Sequence, residues 1–253
     1  MRIAILVANT DDSAFAKAHP GDGERFRALI GGARPDWQFS EYWVGRGEFP
    51  TSLDGIDGVI VTGSPASVHD ADPWISRLMA VIRALNARKT PMFGTCFGHQ
   101  AIAAALGGQV ALNPKGWVLG RVETQVQGLG PIALYAAHSE QVTQLPPGAT
   151  AIATTPGCPI AAFAIGSHVL TTQYHPEMTH DFMAALTDAF AADFPPDVVA
   201  RSRASLTGSA EGPRLAEAVA AFFEAAQAGA AQAGAAQAGA AQDKAASKSI
   251  AVT

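Results

Sequence analysis

The segment Gly94-Thr95-Cys96-Phe97-Gly98-His99-Gln100 limits what this chain can fold into more than any other stretch. It stands between a short strand pattern, Thr90–Thr95, and a helical pattern, Gly98–Leu106, that Gly107-Gly108 closes. A strand that gives way to a helix within one or two residues turns sharply, and flanking glycines let neighbouring backbone pass closely. Such a turn lifts its central side chain, here Cys96, clear of the sheet. The helix beyond it aims its positive end at the sulfur and favours the thiolate. The amide of Phe97 is then placed to donate to an oxyanion. A free cysteine is usually an inert buried residue; the junction is what sets Cys96 apart.

The residues before this junction alternate in the same way. Arg2–Val7 and Gln38–Val44 read as strands and Gly23–Ile30 as a short helix, while Gly58–Thr62 is apolar enough to lie inside a parallel sheet. Asp72 as N-cap and Pro73 at the first helical position open a helix with Trp74, Leu78, Val81, Ile82 and Leu85 on one face. Strand, helix, strand, helix implies right-handed crossovers and an α/β sheet covered on both faces. After Gly108 come Trp117–Gln125, Ile132–Ala137, Ala149–Thr154, Ile160–Ile165 and His168–Gln173, joined by short Gly/Pro-rich links. This stretch reads as antiparallel additions to the parallel core. Helices return from Thr179 to Gln227, with breaks at Pro195-Pro196 and around Gly208–Pro213.

A thiolate needs a base, and the base needs a group to hold it. Tyr174-His175-Pro176-Glu177 follows the last strand and precedes a helix. Pro176 keeps His175 extended, so its ring can leave the sheet at the edge where Cys96 should lie. Glu177 can orient that imidazole and stabilise its charged form. Alone, a His-Pro-Glu turn is an ordinary surface turn; beside the Cys96 junction it completes a Cys-His-Glu triad. A second oxyanion donor is expected from Thr62-Gly63-Ser64-Pro65, where Gly63 lets backbone amides face the site.

These pieces resemble the class I, triad-type glutamine amidotransferases, and most closely stand-alone proteins similar to the glutaminase domain of GMP synthase. Asp72-Pro73-Trp74-Ile75, Gly107-Gly108, Lys115-Gly116, Leu119-Gly120 and His138-Ser139-Glu140 occur in the family's order and carry the resemblance through most of Met1–Met178. It implies a flavodoxin-like sheet flanked by helices, with an antiparallel extension and the site at the carboxyl ends of the strands. It also implies that Cys96 attacks the γ-carboxamide of L-glutamine or a γ-glutamyl compound, ammonia leaves, and the γ-glutamyl thioester is hydrolysed. His175 would serve as base and then acid, Glu177 as orienting carboxylate, and Gly63 and Phe97 as oxyanion-hole amides. Gln100, Ser64 and His138 would stand beside the substrate. Glu140 replaces the family's usual Asp, so little weight falls on it.

Composition removes competing classes. A net charge of −5 with no Lys/Arg cluster gives no footprint for nucleic acid. The two cysteines, Cys96 and Cys158, form no CxxC pair, which argues against a disulfide framework or structural zinc. His69, His168 and His180 lack spaced ligand partners, so neither a metal nor any other cofactor is expected. No apolar stretch is long enough to span a bilayer, and the Ile3–Ala8 run is too short for a signal segment, so the cytoplasm is the expected location.

No nucleotide-binding synthetase motif appears in the sequence. The chain therefore reads either as a glutaminase that supplies a synthetase partner in trans, or as a free-standing γ-glutamyl peptide or conjugate hydrolase. A regulatory protein that keeps the scaffold without turnover is the non-enzymatic alternative. The domain is expected over residues 1–227. Residues 228–253, where Ala-Ala-Gln-Ala-Gly recurs, read as a low-complexity appendage, disordered or weakly helical.

Overall fold

A computed structural model describes the backbone of residues 1–250 and the side chains of residues 1–232. The strands in chain order are β1 (Arg2–Leu6), β2 (Gln38–Tyr42), β3 (Gly58–Val61), β4 (Met92–Thr95), β5 (Gln109–Leu112) and β6 (Val118–Val126). They are followed by β7 (Gly130–His138), β8 (Glu140–Gln144), β9 (Ala149–Thr155), β10 (Cys158–Ile165) and β11 (Val169–Thr172). The helices are α1 (Ala14–Ala18), α2 (Asp22–Ala33), α3 (Pro73–Ala87), α4 (Phe97–Ala105), α5 (His180–Ala189), α6 (Pro196–Ser205) and α7 (Gly212–Ile250).

One sheet of nine strands runs β2-β1-β3-β4-β11-β10-β9-β6-β7, and β5 pairs with β8 in a separate antiparallel ribbon. The first five strands of that order are parallel, and the last four are added antiparallel. The fold is the expected α/β sheet flanked by helices. Period-two alternation distributes β1 between two cores. Ala4 and Leu6 face α3 and α4 with Leu78, Ile82 and Ile102, whereas Ile3 and Ile5 face α2 and α7 with Phe26, Ile30 and Phe223. Every residue of β3 and β4 is buried, as double coverage requires.

One expectation is corrected. The segment 169–172 is a central parallel strand, not an antiparallel addition. It returns through a turn at Gly166 (φ 51°) to lie antiparallel to β10 and therefore parallel to β4. The short helix α1 and the β5–β8 ribbon are additions to what the sequence led one to expect. Asp72 precedes α3 as expected, but its side chain makes no capping hydrogen bond. The helix breaks at Pro195-Pro196 and before Gly212 fall where the prolines and glycines place them. The backbone of α7 continues without a break across residue 228 into the repeat, where Ala supplies most positions and has the highest helix propensity.

Phe223 of α7 seats against Gly58, where a Cβ would come within 2.5 Å of the ring. Phe223→Ala is expected to destabilise the chain by about 3–5 kcal/mol, read as a lower urea midpoint with little change in slope.

Candidate active site

Register brings three strand ends to one place. Thr172 pairs with Thr95, and Val61 pairs with Gly94, so β11, β4 and β3 finish side by side. Cys96 then leaves β4 at φ 48° and ψ −110°, a conformation that a side chain with a Cβ rarely adopts. Its amide donates to Thr172 O at 2.9 Å, and its carbonyl accepts from Gln100 N at 3.0 Å. The glycines around it are structural necessities. A Cβ at Gly98 would collide with the Val61 carbonyl, and one at Gly94 would lie 2.8 Å from the Gly98 carbonyl. Phe97 opens α4, so its amide has no partner within the helix.

His175 enters from the strand beside β4. Its backbone N–H donates to Tyr135 O at 2.8 Å, which ties the segment after β11 to β7. Its Nδ1 lies 2.7 Å from Glu177 Oε1, and the Glu177 side chain is wholly buried. With Nδ1 engaged by Glu177, Nε2 is the free nitrogen of the ring, and the Cys96 thiol stands 3.9 Å from Ala137 O. Burial pushes the imidazole toward the neutral form, but the Glu177 charge and the Cys96 sulfur outweigh it. His175 is held protonated well above its ordinary range.

Gly63 closes the third side. A Cβ there would stand 2.9 Å from His175 Cε1 and 3.6 Å from Cys96 Cβ, so the Gly63 backbone meets both residues at one point. Thr62 pins this loop: its hydroxyl accepts from Ala8 N and donates to Gly63 O, both at 3.0 Å. Ser64 is engaged in its own turn, its Oγ accepting from Ala66 N at 3.1 Å.

The remaining candidates are placed as follows. Gln100 donates both Nε2 hydrogens to protein groups, Glu140 O at 2.8 Å and Gln173 Oε1 at 3.2 Å, so only its Oε1 is left for a ligand. His138 donates from Nδ1 to Glu140 O, and its Nε2 is buried without a partner. Burial and the neighbouring His175 bring His138 down to about 4, so it is neutral at physiological pH. Glu140 accepts from Ser67 Oγ at 3.0 Å, a contact that braces the loop after β3.

Residues outside the site have structural duties. His99 packs at a tilt against Phe163 and bonds Thr171 Oγ1, His168 bonds Asn86 Oδ1, and His69 bonds Val110 O. Cys158 is buried, and burial pushes its thiol up to about 12. Among the described residues no cluster of three His, Cys, Asp or Glu could hold a metal ion, and no described helix is long and apolar enough to cross a membrane.

Sequence reading missed Asp22, a buried carboxylate at the start of α2 that feels the charges of both Glu177 and His175. Burial raises it, and Arg25, bonded to it, pulls the other way. Nothing in the local sequence marks it, because only the fold brings the start of α2 to the segment that follows β11.

Comparison with known proteins agrees with this architecture. The family model for class I glutamine amidotransferases matches residues 43–191. The chain belongs to that family. γ-Glutamyl peptidase 3 of Arabidopsis thaliana is 28% identical over 203 residues, which cover 74% of this chain and 81% of the relative. A GMP synthase (glutamine-hydrolyzing) of Pseudomonas aeruginosa is 34% identical over 139 residues, 49% of this chain but 26% of that enzyme. Among solved structures, a glutamine amidotransferase of Thermotoga maritima at 14% identity superposes with a TM-score of 0.69 over 89% of this chain and 97% of its own. One from Methylobacillus flagellatus, 23% identical, gives 0.68 over 88% and 94%. These last two establish the fold.

The sign of the electrostatics is testable by NMR titration of the His175 ring. The imidazolium should persist well above pH 6.5 in the native protein. In Glu177→Gln the raising charge is gone and burial dominates, so the midpoint should fall below that of the native protein.

Proposed function

We propose that the chain hydrolyses the γ-glutamyl C–N bond through a thioester on Cys96. The observation that supports this most is the meeting of a strained, helix-capped Cys96 with an imidazole that a buried carboxylate holds protonated. A thiolate–imidazolium pair is a nucleophile and a proton donor in one unit. The thiolate attacks the γ-carbonyl carbon, and the developing oxyanion accepts from the amides of Phe97 and Gly63. As the tetrahedral intermediate collapses, His175 gives its proton to the leaving nitrogen, and the C–N bond breaks to release ammonia or an amine. The neutral imidazole then takes a proton from water, whose oxygen attacks the thioester and frees glutamate. Glu177 keeps the ring in the required tautomer and favours its charged form. Gln100 Oε1 and the free His138 Nε2 are acceptors suited to the substrate's α-ammonium group, with Ser64 at the rim.

Two readings of the leaving group follow: ammonia passed to a synthetase partner, or an amine lost from a γ-glutamyl peptide. Coverage favours the free-standing hydrolase, because alignment spans 81% of γ-glutamyl peptidase 3 but 26% of the GMP synthase. A regulatory scaffold would have no need of the strained Cys96 conformation, which carries an energetic cost of about 1–3 kcal/mol.

Glutamate release from γ-glutamyl dipeptides and from L-glutamine, measured side by side, tests this. Dipeptide turnover should exceed glutamine turnover, and Cys96→Ser should lose at least about a thousandfold in kcat/KM in either assay. Equal turnover by Cys96→Ser would overturn the proposal; glutamine turnover alone would restore the synthetase-partner reading. A pH profile adds a second readout. The alkaline limb of kcat/KM marks loss of the His175 proton, so it should lie well above pH 6.5 and move to lower pH in Glu177→Gln.

A further inference from the structure

The strand that leads to Gly63 sets which way its backbone groups face. In a parallel sheet the N–H and C=O of one residue point to one neighbouring strand, and those of the next residue to the other. Val59 N donates to Pro91 O, just before β4, at 2.9 Å, whereas Thr62 N donates to Leu6 O of β1 at 3.2 Å. The Val61 carbonyl abuts Gly98, at the start of α4, and so faces the β4 side. Odd-numbered residues here face β4 and even-numbered ones face β1. One step further, the alternation turns the Gly63 amide toward β4, the strand that ends at Cys96.

The same alternation would turn the Gly63 carbonyl toward the sulfur as well. A carbonyl oxygen only accepts, so beside a developing oxyanion it would oppose the amides that stabilise it. It is held elsewhere. Gly63 O accepts from Thr62 Oγ1 at 3.0 Å, and the same Oγ1 accepts from Ala8 N at 3.0 Å, on the β1 side of β3. Gly63, with no Cβ, makes this turn without steric penalty. In a trans peptide the N–H points opposite to the C=O, so the Ser64 amide is turned away from Thr62 Oγ1.

The anchor for that hydroxyl is firm. Val7 N donates to Tyr42 O at 2.8 Å and Gly45 N to Val7 O at 3.1 Å, which fixes the chain on entry to Ala8. A Cβ on Gly45 would stand 2.9 Å from the Ala8 carbonyl, so the two backbones are in close contact. Thr62 is 0% exposed, and bulk water has no access to take over either of its bonds.

We propose that Thr62 is a positioning residue for the oxyanion hole: its hydroxyl holds the Gly63 carbonyl on the β1 side, so that the Gly63 amide alone meets the oxyanion formed when Cys96 attacks. This role presupposes the thioester chemistry proposed above and supplies the group that orients its oxyanion hole.

Thr62→Val keeps the shape and removes the hydroxyl, whereas Thr62→Ser keeps the hydroxyl and removes the methyl. Each is compared with the native chain in turnover of γ-L-glutamyl-L-alanine or L-glutamine, whichever the native chain hydrolyses faster. Alkylation of Cys96 by iodoacetamide is followed in parallel by peptide mass. There the thiolate displaces iodide from a saturated carbon, and no oxyanion forms. Thr62→Val is expected to lose about a hundredfold in kcat with KM within about threefold of native, while Cys96 alkylates within about threefold of the native rate. Thr62→Ser should restore kcat to within about fivefold of native. Native-like kcat in Thr62→Val would overturn the proposal. So would a parallel loss of turnover and alkylation, which marks general disruption of the site, or a Thr62→Ser variant no better than Thr62→Val. A native chain without Cys96-dependent turnover would instead remove the thioester reading, and this role with it. If urea unfolding shows that Thr62→Val is not folded, Thr62→Ala carries the same decision.

Discussion

The backbone at Cys96 has to hold φ 48° against a cost of about 1–3 kcal/mol, and the surrounding structure is arranged to hold it. The Cys96 amide is clasped by Thr172 O, so β11 must be in register with β4 before the turn can form. Gly98 must press on the Val61 carbonyl, so β3 must lie beside β4 with no side chain between. The same two neighbours deliver the other components, β11 leading to His175 and β3 to Gly63. Strain at one residue and assembly of the site are therefore one constraint. A sheet that pairs correctly satisfies both.

Support for the site reaches beyond the segment that matches the family model. Residues 43–191 include Cys96, His175 and Glu177, yet α2 and α7 lie outside it and form one face of the sheet. Gly212, at the start of α7, packs so closely on the Pro176 carbonyl that a Cβ would collide with it. Asp22, on α2, adds a buried carboxylate within electrostatic reach of His175 and Glu177. The flanking helices thus brace the His-Pro-Glu turn as well as covering the core.

Much of this was legible in the sequence because its signals are local. The Cys96 junction needs a glycine on each side, and Pro73 and the Gly/Pro breaks punctuate helices wherever they occur. The His175–Glu177 pair, two residues apart, carries its own geometry. What was not legible depends on pairings between distant segments. The direction of β11 follows from its placement between β10 and β4, which its four residues do not encode. Asp22 resembles any acidic residue in a first helical turn until the strand order places it behind Glu177. Gln100 shows the limit in another way. Its position was readable, but the use of both amide hydrogens by Glu140 O and Gln173 Oε1 was not.

The position of β11 has a consequence for how the chain comes to be folded. During synthesis β1 to β4 emerge well before β11, and β4 then has β3 on one side and nothing on the other. Its strand partner on that side is residues 169–172, reached only after all the antiparallel additions have been made. Until then β4, whose four residues are buried in the finished fold, keeps an unpaired backbone edge open to pairing with another chain. Contacts so far apart in sequence are slow to close. The newborn protein therefore passes through an interval in which Cys96 already exists, His175 has not yet joined it, and β4 presents an unpaired edge. Protection of that intermediate is a demand that the finished fold places on the cell that makes it.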